Sequence, residues 1–461
     1  MFNVSGNPNG RANLAHNIRY GSERSNLTER LRQWAGDAGD RFPVPPEGPG
    51  VRLRATAFGT PRGYPLASRP ALREAPEEKR LHAASLRGND SSVCQWERLM
   101  RRLICTVFLM MVSIPVCAQT AGPLRLGMAG LVHGHAQGFL NRYLKRQDIQ
   151  LVGVAEADQA VASRYQERFG IDRSRLFSSV EQMLDEARPQ AVVIFTSTFD
   201  HLRVVEACAA RGIPAMMEKP LAVSMEHARG IEQAARRGNI PVMVNYETTW
   251  YASNRAAWNV VKQQKALGDI RKIVVHDGHP GPKALNVQPE FFEWLTDPVR
   301  NGAGALFDFG CYGANLMTWL MDNRRPVAVT AITQRFQPET YRGVDDEATI
   351  LVEYPSAQGI IQASWNWPFD RKDMEVYGST GQIFALRGNA TRVRLPGKQE
   401  EQISAPPLQA PEDDFLNYLA AVVRKEVTPS GLSSLENNMI VTEILDAARR
   451  SAATGQRIPI K

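Results

Sequence analysis

A lysine directly after a short apolar segment stands where its side chain could take part in proton transfer. Residues 213–217 have the apolar character of a buried strand, and Glu218, Lys219 and Pro220 follow them. Pro220 disfavours helical geometry at Lys219, and a side chain at the carboxyl end of a parallel strand points toward the ligand crevice of an α/β sheet. Partial burial would lower the pKa of Lys219, so its amine could exchange protons with an alcohol. Glu218 would point to the other side of the strand, toward structure or cofactor.

Asp308, Tyr312 and Asn315 are spaced so that one helix would carry them on one face. They stand at positions i, i+4 and i+7, and residues 309–320 have helical spacing. Asp308 near the helix N-terminus would also be stabilised by the helix dipole. A polar stripe opposite an apolar one is equally typical of any amphipathic helix, so the spacing leaves both interpretations open.

A turn near residue 130 has features of a phosphate-binding loop. Gly130 ends an apolar segment, and His133, Gly134 and His135 lead into a helical pattern. Such a turn presents backbone N–H groups and a helix N-terminus to a pyrophosphate. In G-x-G-x-x-G register Val132 and His135 replace two glycines, so the match is partial. His133 and His135 would either contact a ligand or cap the helix.

Glu156 is the candidate ribose-binding residue. It ends the second apolar strand segment, where a carboxylate accepts hydrogen bonds from ribose hydroxyls. The same carboxylate would repel a 2′-phosphate, which favours NAD, although NADP remains possible.

Two folded regions position these residues. In residues 119–247, short apolar segments alternate with amphipathic ones, which predicts a doubly wound parallel sheet of the α/β Rossmann type. The strand segments are 124–130, 149–155, 191–195, 213–217 and 241–244, and the helical ones are 135–145, 160–169, 202–210 and 225–237. In residues 248–461, a helix at 251–264 and several strand-like segments predict an α+β domain with an open, mostly antiparallel sheet.

Three segments resemble the Gfo/Idh/MocA oxidoreductase family, and the resemblance spans about residues 123–461. They are Glu-Lys-Pro at 218–220, the Gly-Cys-Tyr segment within 302–312, and residues 196–201. The sequence is most similar to the glucose–fructose oxidoreductase and dihydrodiol dehydrogenase branch, which carries Tyr where many relatives carry His.

The resemblance assigns roles to individual residues. It implies catalytic functions for Lys219, Asp308 and Tyr312. The positions that it assigns to the cofactor are Gly130, Glu156, Thr196, His201, Glu218 and Lys219. It also implies that C-terminal helices over 414–424 and 434–450 pack back on the first domain, and that the chain forms a homo-oligomer.

The chemistry implied is hydride transfer between nicotinamide and a carbinol carbon of a sugar, polyol or dihydrodiol. Tyr312 would handle the hydroxyl proton, with its pKa lowered from about 10 by the Lys219 ammonium, and Asp308 would orient the hydroxyl. We expect substrate contacts from His279, Asn315 and Trp365, although a sheet tryptophan is also typical of a core.

Two other functions fit the same fold. An NAD-dependent glycosidase would restore its cofactor in every cycle, which suits a compartment poor in free nicotinamide. A non-catalytic sugar-binding protein would follow if Val132 makes the cofactor site degenerate.

Charge and cysteine content narrow the function class. Residues 1–118 hold 17 Lys and Arg against 10 Asp and Glu, so the rest of the chain is balanced and the net charge of +7 belongs to the first quarter. We therefore exclude nucleic acid as the main partner. Only Cys208 and Cys311 follow position 118, and no cluster has metal-ligand spacing, so we predict no disulfide framework and no metal site.

The first 118 residues are interpreted as two segments. Residues 1–99 are rich in Arg, Gly, Pro and Ser, which indicates disorder or translation from a start codon placed too early. Residues 100–118 contain two arginines, a short apolar run and small residues before Gln119, as in a secretory signal peptide. We expect an exported protein; a membrane-anchored or cytoplasmic one is the alternative.

Overall fold

A computed structural model of the chain describes residues 122–460. The predicted extension at 1–99, the predicted signal peptide at 100–118 and the cysteines of both segments lie outside the described residues. Within 122–460, none of the helices combines the length and the apolar character needed to cross a bilayer.

A six-stranded parallel sheet forms the first half, with strand order β3-β2-β1-β4-β5-β6. Its strands are β1 (Leu124–Ala129), β2 (Ile149–Ala155), β3 (Leu176–Phe177), β4 (Ala191–Ile194), β5 (Ala215–Glu218) and β6 (Val242–Asn245). The helices that alternate with them are α1 (His135–Tyr143), α2 (Gln159–Phe169), α3 (Val180–Ala187), α4 (His201–Ala209) and α5 (Met225–Gly238). All four residues of β4 are buried, as expected of a strand with helices on both faces. The predicted Rossmann sheet is confirmed.

Local signals in the sequence fix the helix ends. The Asp158 carboxylate accepts hydrogen bonds from the first N–H groups of α2, and Gly170 ends that helix in the left-handed conformation. Ser224 caps α5 in the same way, and Asn239 ends it with φ +48°.

The second half is built on a nine-stranded sheet with order β14-β13-β12-β11-β7-β10-β9-β8-β15. The strands are β7 (Ile270–Gly278), β8 (Ala328–Gln334), β9 (Glu347–Glu353), β10 (Gln358–Ser364), β11 (Arg371–Gly378), β12 (Gln382–Ala385), β13 (Ala390–Arg394), β14 (Glu401–Ser404) and β15 (Ile458–Pro459). Strands β7 and β10 pair in parallel and all other neighbours are antiparallel, so the prediction of a mostly antiparallel sheet is confirmed.

The α-helices of the second half are α6 (Ala252–Trp258), α7 (Pro289–Leu295), α8 (Pro298–Asn301), α9 (Ala305–Asp308), α10 (Gly310–Leu320), α11 (Phe415–Val423) and α12 (Leu435–Thr454). Among these, α6, α9, α10 and α12 contact strands of this sheet. In β9, Ala348, Ile350 and Val352 are buried and alternate with more exposed residues. This period of two turns one face of the strand toward α9 and the start of α10, where a Cβ atom on Gly310 would lie 3.0 Å from Ile350.

Helix α11 packs away from this sheet, against the first half of the chain. Phe415 lies 6.1 Å from Phe139 and 5.1 Å from Tyr143, measured between ring centroids. The Tyr143 hydroxyl donates to the Asp414 carboxylate at 2.6 Å. Residues from the C-terminal part of the chain therefore complete the core of the first sheet.

The predicted helix over residues 309–320 is confirmed as α10, and the short helix α9 precedes it. Phe309, with φ −106°, lies between the two helices. Asp308 consequently ends one helix, and Tyr312 belongs to the first turn of the next.

Candidate active site

The carboxyl ends of the parallel strands gather the candidate residues at one edge of the first sheet. The turn after β1 begins at Gly130, Glu156 follows β2, Thr196 follows β4, and Lys219 follows β5. Because parallel strands end at the same edge, residues far apart in sequence become neighbours there.

Gly130 has a conformation and surroundings that only glycine fits. Its φ is +84°, and a Cβ atom would lie 2.6 Å from Thr196 Cγ2 and 2.9 Å from the Phe195 carbonyl oxygen. Its N–H donates to the Ala155 carbonyl at 2.8 Å. The turn therefore passes closely over the ends of β2 and β4 before α1 begins.

Glu156 ties this turn to the end of β2. Its carboxylate accepts from Leu131 N–H at 2.8 Å and from Asp158 N–H at 3.0 Å. Burial raises the pKa of Glu156, while these two backbone bonds act in the opposite direction. A cleft of about 370 Å³ opens beside Gly130, Glu156 and Thr196. The turn at Gly130, the N-terminus of α1 and the Glu156 carboxylate are the features that a dinucleotide site of this fold requires.

Helix α7 covers the turn from the other side. The Trp294 indole N–H donates to the Val132 carbonyl at 3.1 Å, and the rings of Phe291 and Trp294 lie 5.0 and 5.6 Å from the His133 ring. Gly134 lies against the same helix, because a Cβ there would be 2.7 Å from Phe291. Val132, which departs from the glycine pattern, is thus held through its backbone.

Lys219 and Asp308 form a buried contact between the two halves. The buried Lys219 Nζ donates to the Asp308 carbonyl at 3.0 Å and to its carboxylate oxygen Oδ1, and the Trp365 indole N–H donates to Oδ2 at 2.9 Å. Burial alone would raise the pKa of Asp308, but Lys219, His279 and Trp365 lower it to about 2. Burial alone would lower the pKa of Lys219, but Asp308, Cys311 and Glu218 raise it above its usual value. The expected low pKa of Lys219 is therefore wrong, because the buried carboxylate outweighs desolvation.

Tyr312 lies beside two ammonium groups. Its ring centroid is 5.2 Å from Lys219 Nζ and 5.0 Å from Lys372 Nζ. Burial nevertheless raises the pKa of Tyr312 well above its usual range, and the carboxylates of Glu247 and Asp308 act in the same direction. The expectation that Lys219 lowers the pKa of Tyr312 is wrong, because burial raises it, and Tyr312 is a neutral phenol at pH 7.

The remaining cofactor candidates have partners within the protein. Glu218 is buried and accepts from Asn245 Nδ2 at 2.9 Å, and its other oxygen lies 3.0 Å from His135 Nδ1. The Thr196 hydroxyl donates to the Ser197 carbonyl at 3.0 Å. His201 is buried with Nδ1 3.2 Å from the Leu221 carbonyl, and burial lowers its pKa to about 4.

The three substrate candidates are placed differently from one another. His279 lies near Asp308, with its ring 4.6 Å from that of Phe309. Trp365 is fully buried and contacts Asp308, as a core residue that orients the carboxylate. Asn315 is not brought to this group, because its amide donates to the Leu432 carbonyl at 2.8 Å and to Asn437 at 2.9 Å.

Asp277 is a buried carboxylate at this site that the sequence analysis missed. It lies on β7, opposite Lys372 of β11 and Ala363 of β10, and both of its carboxylate oxygens lack a hydrogen-bond partner. Burial raises its pKa well above the usual value, while Lys372 acts in the opposite direction. The signal in the sequence was its period-two spacing from the apolar Ile273 and Val275, which places an acid on the core face of a strand.

Two family models together match most of the described chain. The model described as "Oxidoreductase family, NAD-binding Rossmann fold" matches residues 124–246, and the "GFO/IDH/MocA C-terminal domain" model matches residues 255–384.

Curated relatives and solved structures agree with these matches. The chain is 28% identical to trans-1,2-dihydrobenzene-1,2-diol dehydrogenase of Xenopus laevis over 313 residues, covering 65% of this chain and 89% of that protein. It is 23% identical to inositol 2-dehydrogenase of Rhizobium meliloti strain 1021, covering 74% and 98%. Its fold is similar to an aldose-aldose oxidoreductase from Caulobacter crescentus complexed with glycerol, with a TM-score of 0.61 at 20% identity over 73% of this chain and 100% of that one. An inositol dehydrogenase homolog from Azotobacter vinelandii, complexed with NADH and myo-inositol, gives a TM-score of 0.63 at 17% identity, covering 74% and 98%.

Proposed function

This chain belongs to the Gfo/Idh/MocA family of NAD-binding oxidoreductases, and from that premise we propose that it is a dehydrogenase of a sugar, polyol or dihydrodiol. The relatives named above act, by their names, on an inositol, an aldose and a dihydrodiol. These compounds share a secondary or hemiacetal carbinol next to another hydroxyl. We infer the same substrate class here.

The contact between Lys219 and Asp308 carries the proposal. It fixes an ammonium and a carboxylate at the boundary between the NAD-binding sheet and the second sheet, next to the Tyr312 ring. Both charged groups are buried, and each compensates the other. A buried ion pair destabilises the fold unless the two groups are well oriented and hydrogen-bonded. At the carboxyl edge of a parallel sheet, such a pair is typical of a functional site.

The cofactor would lie along the cleft at Gly130, Glu156 and Thr196. When bound, its nicotinamide accepts or delivers the hydride that this chemistry requires. Glu156 favours NAD over NADP, because its buried carboxylate faces the place where a 2′-phosphate would bring further negative charge.

Tyr312, Lys219 and Asp308 would manage the proton that accompanies the hydride. In carbonyl reduction, the neutral Tyr312 phenol gives its proton to the oxygen that becomes a hydroxyl. In carbinol oxidation, Tyr312 first has to lose its own proton to solvent, and the ammonium groups of Lys219 and Lys372 would stabilise the resulting phenolate. The phenolate then accepts the hydroxyl proton and becomes a neutral phenol again. Asp308 holds Lys219 in place, because its carbonyl and carboxylate accept two of the three ammonium hydrogens. Positioned acid–base groups of this kind contribute roughly 10²–10⁴-fold to rate.

Nucleotide content and turnover test this proposal in the full chain. We expect denatured protein to release NAD or NADH, identified by mass, and we expect a sugar, polyol or dihydrodiol to reduce added NAD. The Tyr312→Phe variant should retain the nucleotide and lose at least about 100-fold in turnover. Lys145→Ala, at an exposed position on the first half, is the control and should match the parent.

The same measurement separates the alternatives. Release of an aglycone with no net change in NADH would support an NAD-dependent glycosidase instead. Protein without any nucleotide, and with sugar binding but no turnover, would support a non-catalytic binding protein. Unchanged turnover in Tyr312→Phe would contradict the assigned proton path.

We also propose that the protein is exported and self-associates. Export is inferred from the arginine pair and apolar run of residues 100–118. Self-association is inferred from the open sheet face, on which Ile332 and Leu351 are exposed. N-terminal sequencing of the mature protein and its mass in solution test these two points.

A further inference from the structure

Two histidines and a glutamate converge at the edge of the first sheet, beside the dinucleotide cleft. One ring nitrogen of His133, one of His135 and one carboxylate oxygen of Glu218 all lie within 4.8 Å of one another. Among residues 122–460, this is the group of three ligand-type side chains that meets such a spacing. We propose that these side chains bind a divalent transition-metal ion, a site that goes beyond the dehydrogenase function and does not depend on it.

The three side chains come from rigid neighbours. His133 and His135 belong to the turn that opens α1, and Glu218 is the last residue of β5. The His133 ring is packed between Phe291 and Trp294. The His135 ring is half exposed, so it can turn to complete coordination, which needs ligand atoms about 2.0–2.2 Å from the ion.

The glutamate also has the outer support that metal ligands usually have. Asn245 Nδ2 donates to one oxygen of Glu218 at 2.9 Å, and Trp250 Nε1 donates to Asn245 Oδ1 at 2.9 Å. This chain of hydrogen bonds fixes the orientation of the carboxylate and leaves its other oxygen facing His135. Lys219, the next residue in the chain, takes a different partner in Asp308.

The donor set selects the kind of ion. Two imidazoles with one carboxylate favour zinc, or another first-row transition metal, over magnesium and calcium, which prefer oxygen ligands. Three protein ligands leave at least one coordination position open, as in catalytic rather than structural zinc sites. His135 and Glu218 both line a cleft of about 350 Å³ that also contains Arg142 and Trp250, so an ion has an entry path and a small oxygen ligand has room.

Metal titration of the tag-free full chain tests the site directly. After treatment with a chelator, we expect about one Zn²⁺ per chain by calorimetry, and visible absorption bands when Co²⁺ is added instead. His133→Ala and Glu218→Gln should each weaken Zn²⁺ binding by at least about 10-fold. The matched controls His227→Ala and Glu226→Gln change a histidine and a glutamate on α5, away from the group, and should bind like the parent.

Folding and nucleotide binding are measured in the same samples. Glu218→Gln keeps the shape of the side chain, so it separates lost coordination from lost structure if His133→Ala does not fold. Parent protein that binds NAD but no Zn²⁺ would overturn the metal site and leave the dehydrogenase proposal intact. Equal Zn²⁺ affinity in the parent and in Glu218→Gln would also overturn it.

Discussion

Lys219 and Asp308 are 89 positions apart in the chain, yet the Lys219 ammonium donates to both the backbone carbonyl and the side-chain carboxylate of Asp308. The lysine belongs to the end of a parallel strand, and the aspartate belongs to a short helix over the second sheet. One buried ion pair therefore contains two of the groups proposed to manage the proton and also connects the two sheets.

Removing one member of this pair should be costly for stability. We expect Lys219→Met to lower the free energy of unfolding by about 3–5 kcal/mol, because it leaves the Asp308 charge buried without compensation. The double variant Lys219→Met with Asp308→Asn should lose less than the sum of the two single changes. Urea unfolding followed by circular dichroism measures all four proteins.

An exposed ion pair of the same residue types provides the control. Lys262 Nζ lies 2.7 Å from the exposed carboxylate of Asp322, and Lys262→Met should cost less than about 1 kcal/mol. An equal loss in Lys219→Met and Lys262→Met would mean that the buried pair has no special energetic role.

The unpaired carboxyl group of Asp277 should make stability depend on pH. Its folded-state pKa is raised, so the protonated acid contributes stability that is complete below the unfolded pKa of about 3.9. That contribution is lost as the pH rises toward the folded-state pKa, by up to about 1.4 kcal/mol per pH unit. Asp277→Asn removes the titration, so the variant should gain stability relative to the parent as the pH increases above about 4.

Thermal unfolding across the pH range checks the sign of this effect. Asp370→Asn, at an exposed position paired with Arg387, serves as the comparison. A difference between Asp277→Asn and the parent that does not change with pH would contradict the raised pKa.

Glu156 should set both the affinity for NAD and the discrimination against NADP. Glu156→Ala removes the charged acceptor for a ribose hydroxyl and the acceptor of Leu131 N–H, so NAD should bind roughly 10–100-fold more weakly. NADP should lose less, because a repulsive charge disappears at the same time. Fluorescence titration with both nucleotides gives the ratio, with Glu167→Gln on the exposed side of α2 as the control. An unchanged ratio of NAD to NADP affinity would place the ribose elsewhere.

Gly130 and Gly170 form a matched pair of glycines with positive φ. An alanine at Gly170 meets no atom within 4 Å, whereas an alanine at Gly130 meets Thr196 and the Phe195 carbonyl at less than 3 Å. Gly170→Ala should therefore cost about 1–2 kcal/mol for its backbone conformation alone. Gly130→Ala should cost about 2–5 kcal/mol and abolish nucleotide binding. Similar melting temperatures for the two variants would show that the turn at Gly130 can accommodate a Cβ atom, which would contradict this prediction.

The positions of residues in strands could be predicted from the local sequence pattern, whereas properties set by partners distant in the chain could not. The alternation of apolar and amphipathic segments predicted the parallel sheet, and it positioned Lys219 and Glu156 directly after their strands. The direction of the Lys219 pKa could not be predicted, because it depends on Asp308, whose place beside the lysine is decided by the packing of two sheets. The two-residue strand β3 and the exposed strand β14 carry no usable period, so pattern analysis did not find them.

The roles of individual side chains in the candidate site also could not be decided from the sequence alone. A sheet tryptophan such as Trp365 is more often a core residue, but the sequence leaves a sugar pocket open. Its complete burial assigns it to the core, where it donates to Asp308. Asn315 shares helix α10 with Tyr312, but α12 lies against it, and its amide donates to Leu432 and Asn437 instead. Among the proposed metal ligands, His133 and His135 are 2 positions apart, but Glu218 follows His135 by 83 positions. The sequence alone therefore does not reveal that they come together.

The packing of α11 against α1 bears on how this protein is made. The strands of the first sheet are synthesised well before Phe415 and its neighbours, which shield the apolar side of that layer and follow most of the second sheet in the chain. Nascent chains will therefore expose this surface until residue 415 and its neighbours emerge from the ribosome, which invites chaperone capture. A premature stop codon shortly before residue 415 should yield an aggregating fragment rather than a functional half.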